Sequence, residues 1–227
     1  MREDPILLTG VYRSGTTILS CMLGAHPEIN FTYGSVNYLR WFVKKAIDPR
    51  EYKEIVLDTE TRLLKRYKKQ ISSQSIINSI ENSEKEISHG LIYSAIMEDF
   101  FKNKEKRWGE KTLLEWTNIP TFLKMYSNSK ALHIIRDPRD VVVSYSKYRH
   151  LDYDKTIEHM IGSKANVPFV RDVKDASNIE ITGSWAFHYN SWKDGISVIP
   201  RIIIKYEDLL SNSEKIFTNN ISYLKKI

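Results

Sequence analysis

A glycine-bearing turn near the start of the chain has the residue types of an anion-binding loop. The segment Gly10–Thr17 follows a short apolar run and ends in two threonines. Such a turn directs backbone N–H groups toward an anion at the start of the next helix, where the helix dipole favours negative charge. An arginine within it suits a bidentate contact with phosphate. The predicted ligand-binding residues are Arg13, Ser14, Gly15, Thr16 and Thr17.

The same turn departs from the nucleoside triphosphate loop that it partly matches. Gly10 and Gly15 have the required spacing, and Thr17 stands where that loop carries its magnesium-binding hydroxyl. Thr16, however, occupies the position of the lysine that contacts the transferable phosphoryl group. We therefore expect a phosphorylated ligand without ordinary triphosphate hydrolysis. A strand, turn and helix with no ligand is the alternative, because short patterns also arise by chance.

A second candidate anion site follows another predicted strand. Arg136 comes directly after the apolar run at residues 131–135, and Asp137-Pro138 is typical of a helix start. Ser144 lies two helical turns further on. Ligands of open α/β sheets bind at the carboxyl ends of strands, so Arg136 and Ser144 are expected to hold a second phosphate. A capped helix with surface ion pairs is the alternative.

The elements that position these two sites alternate between strands and helices. Buried strands are predicted before Gly10 and at residues 107–112, 130–135 and 201–205, and helices at 16–23, 119–126, 138–148, 155–161, 184–195 and the carboxyl end. Between about residues 35 and 105, apolar residues at threes and fours predict helices alone, at 36–46, 51–69, 73–80 and 84–104. We expect an α/β, P-loop-like three-layer fold, in which helices flank a short central parallel sheet and a helical insertion is added.

Composition excludes several classes of protein. With 227 residues, 41% of them hydrophobic, the chain suits a single domain over residues 1–227. A net charge of +6 fits an anionic ligand without indicating nucleic acid. No apolar run approaches the roughly 18 residues of a membrane span, and the charged residues 2–4 leave no secretory segment, so a cytoplasmic location is predicted. Cys21 is the only cysteine and is expected to pack within its helix; scattered histidines predict no metal.

Together the two anion sites resemble those of the sulfotransferases that use 3′-phosphoadenosine 5′-phosphosulfate (PAPS). Residues 13–17 look like their 5′-phosphosulfate loop, residues 136–144 are similar to their 3′-phosphate motif, and residues 206–209 resemble the motif after their last core strand. The loop arginine and His26-Pro27 are most similar to the tyrosylprotein and bacterial carbohydrate branches. The resemblance implies PAPS as co-substrate, adenosine 3′,5′-bisphosphate (PAP) as product, no metal, and sulfuryl transfer to a hydroxyl or amine of a small-molecule or saccharide acceptor.

The resemblance also implies roles for individual residues. Residues 13–17 would bind the 5′-phosphosulfate, Arg136 and Ser144 the 3′-phosphate, while Tyr206 would lie near the adenosine. Lys111 matches a family lysine that stabilises negative charge during transfer, and a solvent-exposed lysine is the alternative. Relatives often place a general base, a glutamate, after a glycine beyond the His-Pro pair, but here Ser35 follows Gly34. Glu110 and His188 are substitutes by residue type alone.

Other features leave the function open. Family members usually end in a basic, glycine-containing segment over the 3′-phosphate, whereas no glycine follows Gly195 here, so we expect this closing segment to be absent, truncated or supplied by another chain. The alternatives are a P-loop kinase or nucleotide hydrolase, and a PAPS-binding relative without catalysis. The insertion at about residues 35–105 is expected to shape the acceptor pocket, but its sequence identifies neither the acceptor nor the oligomeric state.

Overall fold

A five-stranded parallel sheet forms the centre of the computed structural model, which describes residues 4–34, 36–113, 118–152, 154–156 and 201–225. The strands are β1 (Ile6–Gly10), β2 (Ile29–Phe31), β3 (Arg107–Lys111), β4 (Lys130–Ile135) and β5 (Arg201–Lys205). They lie in the order β2-β3-β1-β4-β5, and every neighbouring pair is parallel. The carboxyl ends of all five strands therefore meet at one edge of the sheet, which is where α/β proteins bind ligands.

Helices connect these strands. They are α1 (Thr16–Gly24), α2 (Tyr52–Tyr67), α3 (Ser73–Glu81), α4 (His89–Phe101), α5 (Ile119–Met125), α6 (Pro138–Arg149), α7 (Tyr206–Ser211) and α8 (Ser213–Lys225). A π-helical segment (Leu39–Val43) and a 3₁₀ turn (Pro49–Glu51) precede α2. Side chains cap several of the helix starts. The Asp137 carboxylate, for example, accepts a hydrogen bond of 2.9 Å from the backbone N–H of Arg139 at the start of α6.

The sheet is buried on both faces because strand side chains alternate between two hydrophobic cores. On the α1 side, Leu8 and Leu132 pack with Leu19. On the insertion side, Leu7 and Trp108 belong to a core with residues of α4, α5 and the segment before α2. Helices thus cover both faces, and the predicted α/β fold with a central parallel sheet flanked by helices is confirmed.

Two local predictions were wrong. No strand was predicted between the first helix and Gly34, but β2 lies there and pairs with β3, from Ile29 beside Arg107 to Phe31 beside Gly109. The expected helix at residues 36–46 is only a π-helical segment at Leu39–Val43, because Asn37 and Ala46 have positive φ angles of 62° and 53°.

Further expectations concern Cys21 and the region after α6. Cys21 is exposed, which contradicts the predicted packing role. The expected helix at 155–161 is described only to residue 156, and that at 184–195 lies outside the described residues. Within the described residues, no helix is long and apolar enough to span a membrane. No group of acidic, histidine or cysteine side chains there has the geometry of a metal site.

Candidate functional site

The loop between β1 and α1 has a geometry that exposes the start of the helix to a ligand. Arg13 and Gly15 both lie in the left-handed region, with φ angles of 65° and 94°. Ser14 is fully buried, and its hydroxyl donates to the carbonyl of Val11 at 2.7 Å, which closes the turn. The first N–H groups of α1 have no carbonyl partner within the helix, so they are available to an anion. The predicted loop residues therefore do lie together at a helix N-terminus.

Arg136 connects this loop with the second predicted site. Its Nη1 donates to the carbonyl oxygen of Arg13 at 3.0 Å. Its guanidinium also lies over the ring of Tyr206, 4.3 Å from the centroid. The buried Nε of Arg136 has no hydrogen-bond partner among the described residues. A buried donor on a cation is costly unless a partner arrives, so this nitrogen is suited to an anionic ligand.

The side chain of Arg13 joins the two sites. Its Nε donates to the Ser144 hydroxyl at 3.0 Å, and its guanidinium carbon lies 4.9 Å from the centre of the Tyr148 ring. Arg13 therefore points toward α6, beside Arg136, and not into the cradle formed by its own loop. Tyr148 was not among the predicted site residues, although its position four residues after Ser144 places both side chains on one face of α6.

The start of α7 completes the second site from a neighbouring strand. Tyr206 lies against both Arg136 and Gly15, where an alanine Cβ would approach the ring carbon Cε2 to 2.7 Å. The Glu207 carboxylate accepts a hydrogen bond of 3.0 Å from the backbone N–H of Asp137, which fixes the turn between β4 and α6. Glu207 also escaped prediction. Its sequence signal is its place in the motif at residues 206–209.

Lys111 brings a positive charge to the other side of the loop. It ends β3, and its Nζ donates to the Thr17 hydroxyl at 3.1 Å. Its backbone N–H donates to the hydroxyl of Thr32 at 3.0 Å. Only 7% of Lys111 is exposed, so it is not the solvated strand-end lysine considered as the alternative. Burial lowers the pKa of this ammonium group.

Glu110 and Lys111 point to opposite faces of the sheet. Glu110 pairs in register with Leu7 of the insertion-side core, and Lys111 with Leu8 of the α1-side core. The fully buried Glu110 carboxylate accepts a hydrogen bond of 2.9 Å from the backbone N–H of Asn37. The carboxylate thus forms its hydrogen bond on the face of the sheet away from α1. The other predicted base, His188, lies outside the described residues.

The comparison with family models decides the family. A model described as the Sulfotransferase family matches residues 5–224. This chain belongs to the sulfotransferase family. Family members transfer sulfuryl groups, and the predicted family is thereby confirmed. A search of curated protein sequences returned no match.

Solved sulfotransferase structures share the fold of this family member. The sulfotransferase domain from the curacin biosynthetic pathway has a TM-score of 0.56 at 17% identity, over 97% of this chain and 73% of that one. A sulfotransferase from Alicyclobacillus acidocaldarius has a TM-score of 0.56 at 15% identity, over 99% and 81% of the two chains. A mouse sulfotransferase complexed with PAP has a TM-score of 0.50 at 20% identity, over 99% and 59%.

Proposed function

We propose that this sulfotransferase uses PAPS as its donor and transfers the sulfuryl group to a hydroxyl or amine of its acceptor. One observation carries the proposal: the two predicted anion-binding sites are joined by the contacts of Arg13 with Ser144 and of Arg136 with Arg13. A ligand with phosphate groups at two separated positions matches such a site, as PAPS does. The PAP held by a mouse relative supports the same donor.

The residues at this site fit the two ends of PAPS. The start of α1 and Lys111 would hold the 5′-phosphosulfate, since N–H groups and an ammonium converge there. Arg136 and Ser144 would hold the 3′-phosphate, and the buried Nε of Arg136 would gain an acceptor. Tyr206, stacked on Arg136 and close to Gly15, would border the adenosine between them. Arg13, whose side chain points toward Ser144, would lie beside the 3′-phosphate.

Lys111 is the residue that we propose for charge stabilisation. When bound, PAPS supplies an activated sulfuryl group, and negative charge then builds up on the oxygen that leaves with the phosphate. The ammonium of Lys111 is fixed in advance by Thr17 and by the burial of its side chain. A cation fixed in a partly dehydrated site stabilises developing charge more strongly than one in water, because little reorganisation is required.

The general base and the cellular location stay predictions. Glu110 lies on the face of β3 away from α1 and accepts a hydrogen bond from Asn37. This placement supports a positioning role, in which Glu110 holds the segment after β2. His188 stays the second candidate for the base, and the cytoplasmic location rests on the sequence alone.

Calorimetric titration with PAP tests the donor. We expect Arg136→Ala to weaken PAP binding by about 10- to 100-fold, since a charge-assisted contact to phosphate is lost. Arg139→Ala is the matched control, because Arg139 belongs to the same motif but pairs with Asp137 at the surface. A wild-type protein that does not bind PAP, or equal binding by both variants and wild type, would overturn the donor assignment.

A nucleoside triphosphate is the competing ligand. The contact between Lys111 and Thr17 supplies a cation near the place where the loop lacks its lysine. The same titration decides between them: magnesium-dependent binding of ATP that is tighter than binding of PAP would favour a kinase or hydrolase. PAP binding without transfer to any acceptor in a broad panel would favour a relative that has lost catalysis.

A further inference from the structure

A pocket of about 360 Å³ lies beside β2, between the segment that follows this strand and helices α2 and α4. Its volume lies in the range of small-molecule sites. Most of its wall is aromatic or aliphatic, from Phe31, Val36, Leu63, Tyr67, Phe100 and Phe101. Such a wall is suited to a flat apolar ring, because aromatic side chains pack well against rings and exclude water.

One cation lines the pocket, and a second lies against the ring of a lining tyrosine without lining the pocket itself. Lys69 lines the pocket, and its Nζ lies 5.1 Å from the centre of the Phe100 ring. The guanidinium carbon of Arg66 lies 5.3 Å from the centre of the Tyr67 ring. Neither cation forms an ion pair with a carboxylate in the described part of the chain. Among the described residues, the pocket therefore combines apolar walls with the charge of Lys69, which no carboxylate there neutralises.

The pocket adjoins the predicted donor site through Thr32. Thr32 lines the pocket, and its hydroxyl accepts the backbone N–H of Lys111 at 3.0 Å. The ammonium of the same Lys111 reaches Thr17 of α1. A single residue of β3 thus contacts both the pocket wall and the donor loop, so the pocket and the loop lie at the same edge of the sheet.

The segment that lines the pocket is fixed at both of its ends. Thr32 donates its backbone N–H to the carbonyl of Gly109 at 3.1 Å, and Asn37 donates to Glu110 at 2.9 Å. Gly34, between them, packs so closely against Tyr67 that an added Cβ would lie 2.7 Å from the ring carbon Cε1. A wall held in this way is preorganised, which lowers the entropy lost when a ligand binds.

We propose that this pocket binds the acceptor, and that the acceptor is a small molecule with an aromatic ring and a negatively charged group. The ring would lie against the aromatic wall, and Lys69 would recognise the negative charge. Lys69 is then a specificity-determining residue. The assignment as an acceptor pocket rests on the proposed sulfotransferase function, but binding in the pocket can be measured without any transfer.

Ligand-observed NMR titration tests the proposal with three phenols of similar size. They are para-hydroxybenzoate, which is anionic, para-cresol, which is neutral, and tyramine, which is cationic. We expect the protein, with and without saturating PAP, to bind para-hydroxybenzoate about 5-fold more tightly than para-cresol, and tyramine least, because a charge-assisted contact forms only with the anion.

Three variants locate the effect. Lys69→Met should remove the preference for the anion and leave para-cresol binding unchanged. Lys65→Met is the matched control, since this exposed lysine lies four residues earlier and does not line the pocket, so the preference should persist. Gly34→Ala should weaken the binding of all three phenols, because Tyr67 must move.

The outcomes separate this proposal from the donor assignment. If the protein binds PAP but shows no preference for the anionic phenol, the pocket proposal is wrong. The same holds if Lys65→Met abolishes the preference as fully as Lys69→Met. Retained, Lys69-dependent binding of para-hydroxybenzoate by a protein that does not bind PAP would support the pocket and refute the donor.

Discussion

We expect Gly15→Ala to destabilise the protein and to weaken PAP binding by displacing the ring of Tyr206. Gly15 has a φ angle of 94°, which is unfavourable for any residue with a Cβ. The added methyl group would lie 2.7 Å from Cε2 of Tyr206, closer still to Cδ2, and 3.3 Å from Cδ1 of Ile134. Ile134 is packed in the core, so the Tyr206 ring must move, and its contact with Arg136 is then lost.

The two causes have separate magnitudes. The left-handed backbone costs about 1 kcal/mol, and loss of the stacking of Arg136 on Tyr206 costs about 0.5–1 kcal/mol. The sum of about 1.5–2 kcal/mol corresponds to a Tm lower by about 3–8 °C for a chain of this size. Only the stacking contribution acts on the ligand site, and it corresponds to about a 2- to 5-fold loss of PAP affinity.

A double-mutant cycle with Tyr206→Ala separates these contributions, using thermal melts and calorimetric titration with PAP. Without the ring, Gly15→Ala should cost only the backbone contribution, about 1 kcal/mol, and should leave PAP affinity unchanged. Gly24→Ala, at the other end of α1, is the matched control, because its Cβ would make only an ordinary contact of 3.5 Å with Phe31. Equal losses from Gly15→Ala in both backgrounds, or losses no larger than those of Gly24→Ala, would refute the reasoning.

Two further predictions concern β3. Burial lowers the pKa of Lys111 from 10.5, so the affinity of the protein for PAP should fall as pH rises through this lowered pKa. Lys111→Arg should abolish this fall, because arginine keeps its charge. The same pH dependence in wild type and Lys111→Arg would contradict the role of Lys111. Between the lowered pKa and 10.5 the unfolded chain binds more protons, so stability should rise with pH there. Glu110→Ala should lower the free energy of unfolding, measured in urea, by about 1–3 kcal/mol, because the backbone N–H of Asn37 loses its acceptor. Glu110→Gln keeps an acceptor and should lose much less. Equal losses in both variants would exclude this hydrogen bond as the cause.

Strong local patterns made the central strands predictable. β4 and β5 have the predicted bounds, and α1 begins at the predicted Thr16. These segments are apolar runs or turns, and tertiary packing keeps the secondary structure that their local sequence favours. β2 has only three residues and pairs with β3 alone, so its sequence carries too little periodicity to distinguish it from a loop. Residues 36–46 do have helical periodicity, but the backbone of Asn37 is held in a left-handed conformation where it donates to Glu110.

The sequence by itself determined the family and located two candidate anion-binding motifs, since glycine spacing, hydroxyl residues and arginines are local features of the chain. Only the tertiary structure decided how they combine. It turned Arg13 toward Ser144, stacked Tyr206 on Arg136, brought Lys111 to Thr17 and placed Glu110 on the opposite face of β3. The physical reason is the parallel sheet: strands far apart in sequence end at one edge, and side chains alternate between its faces.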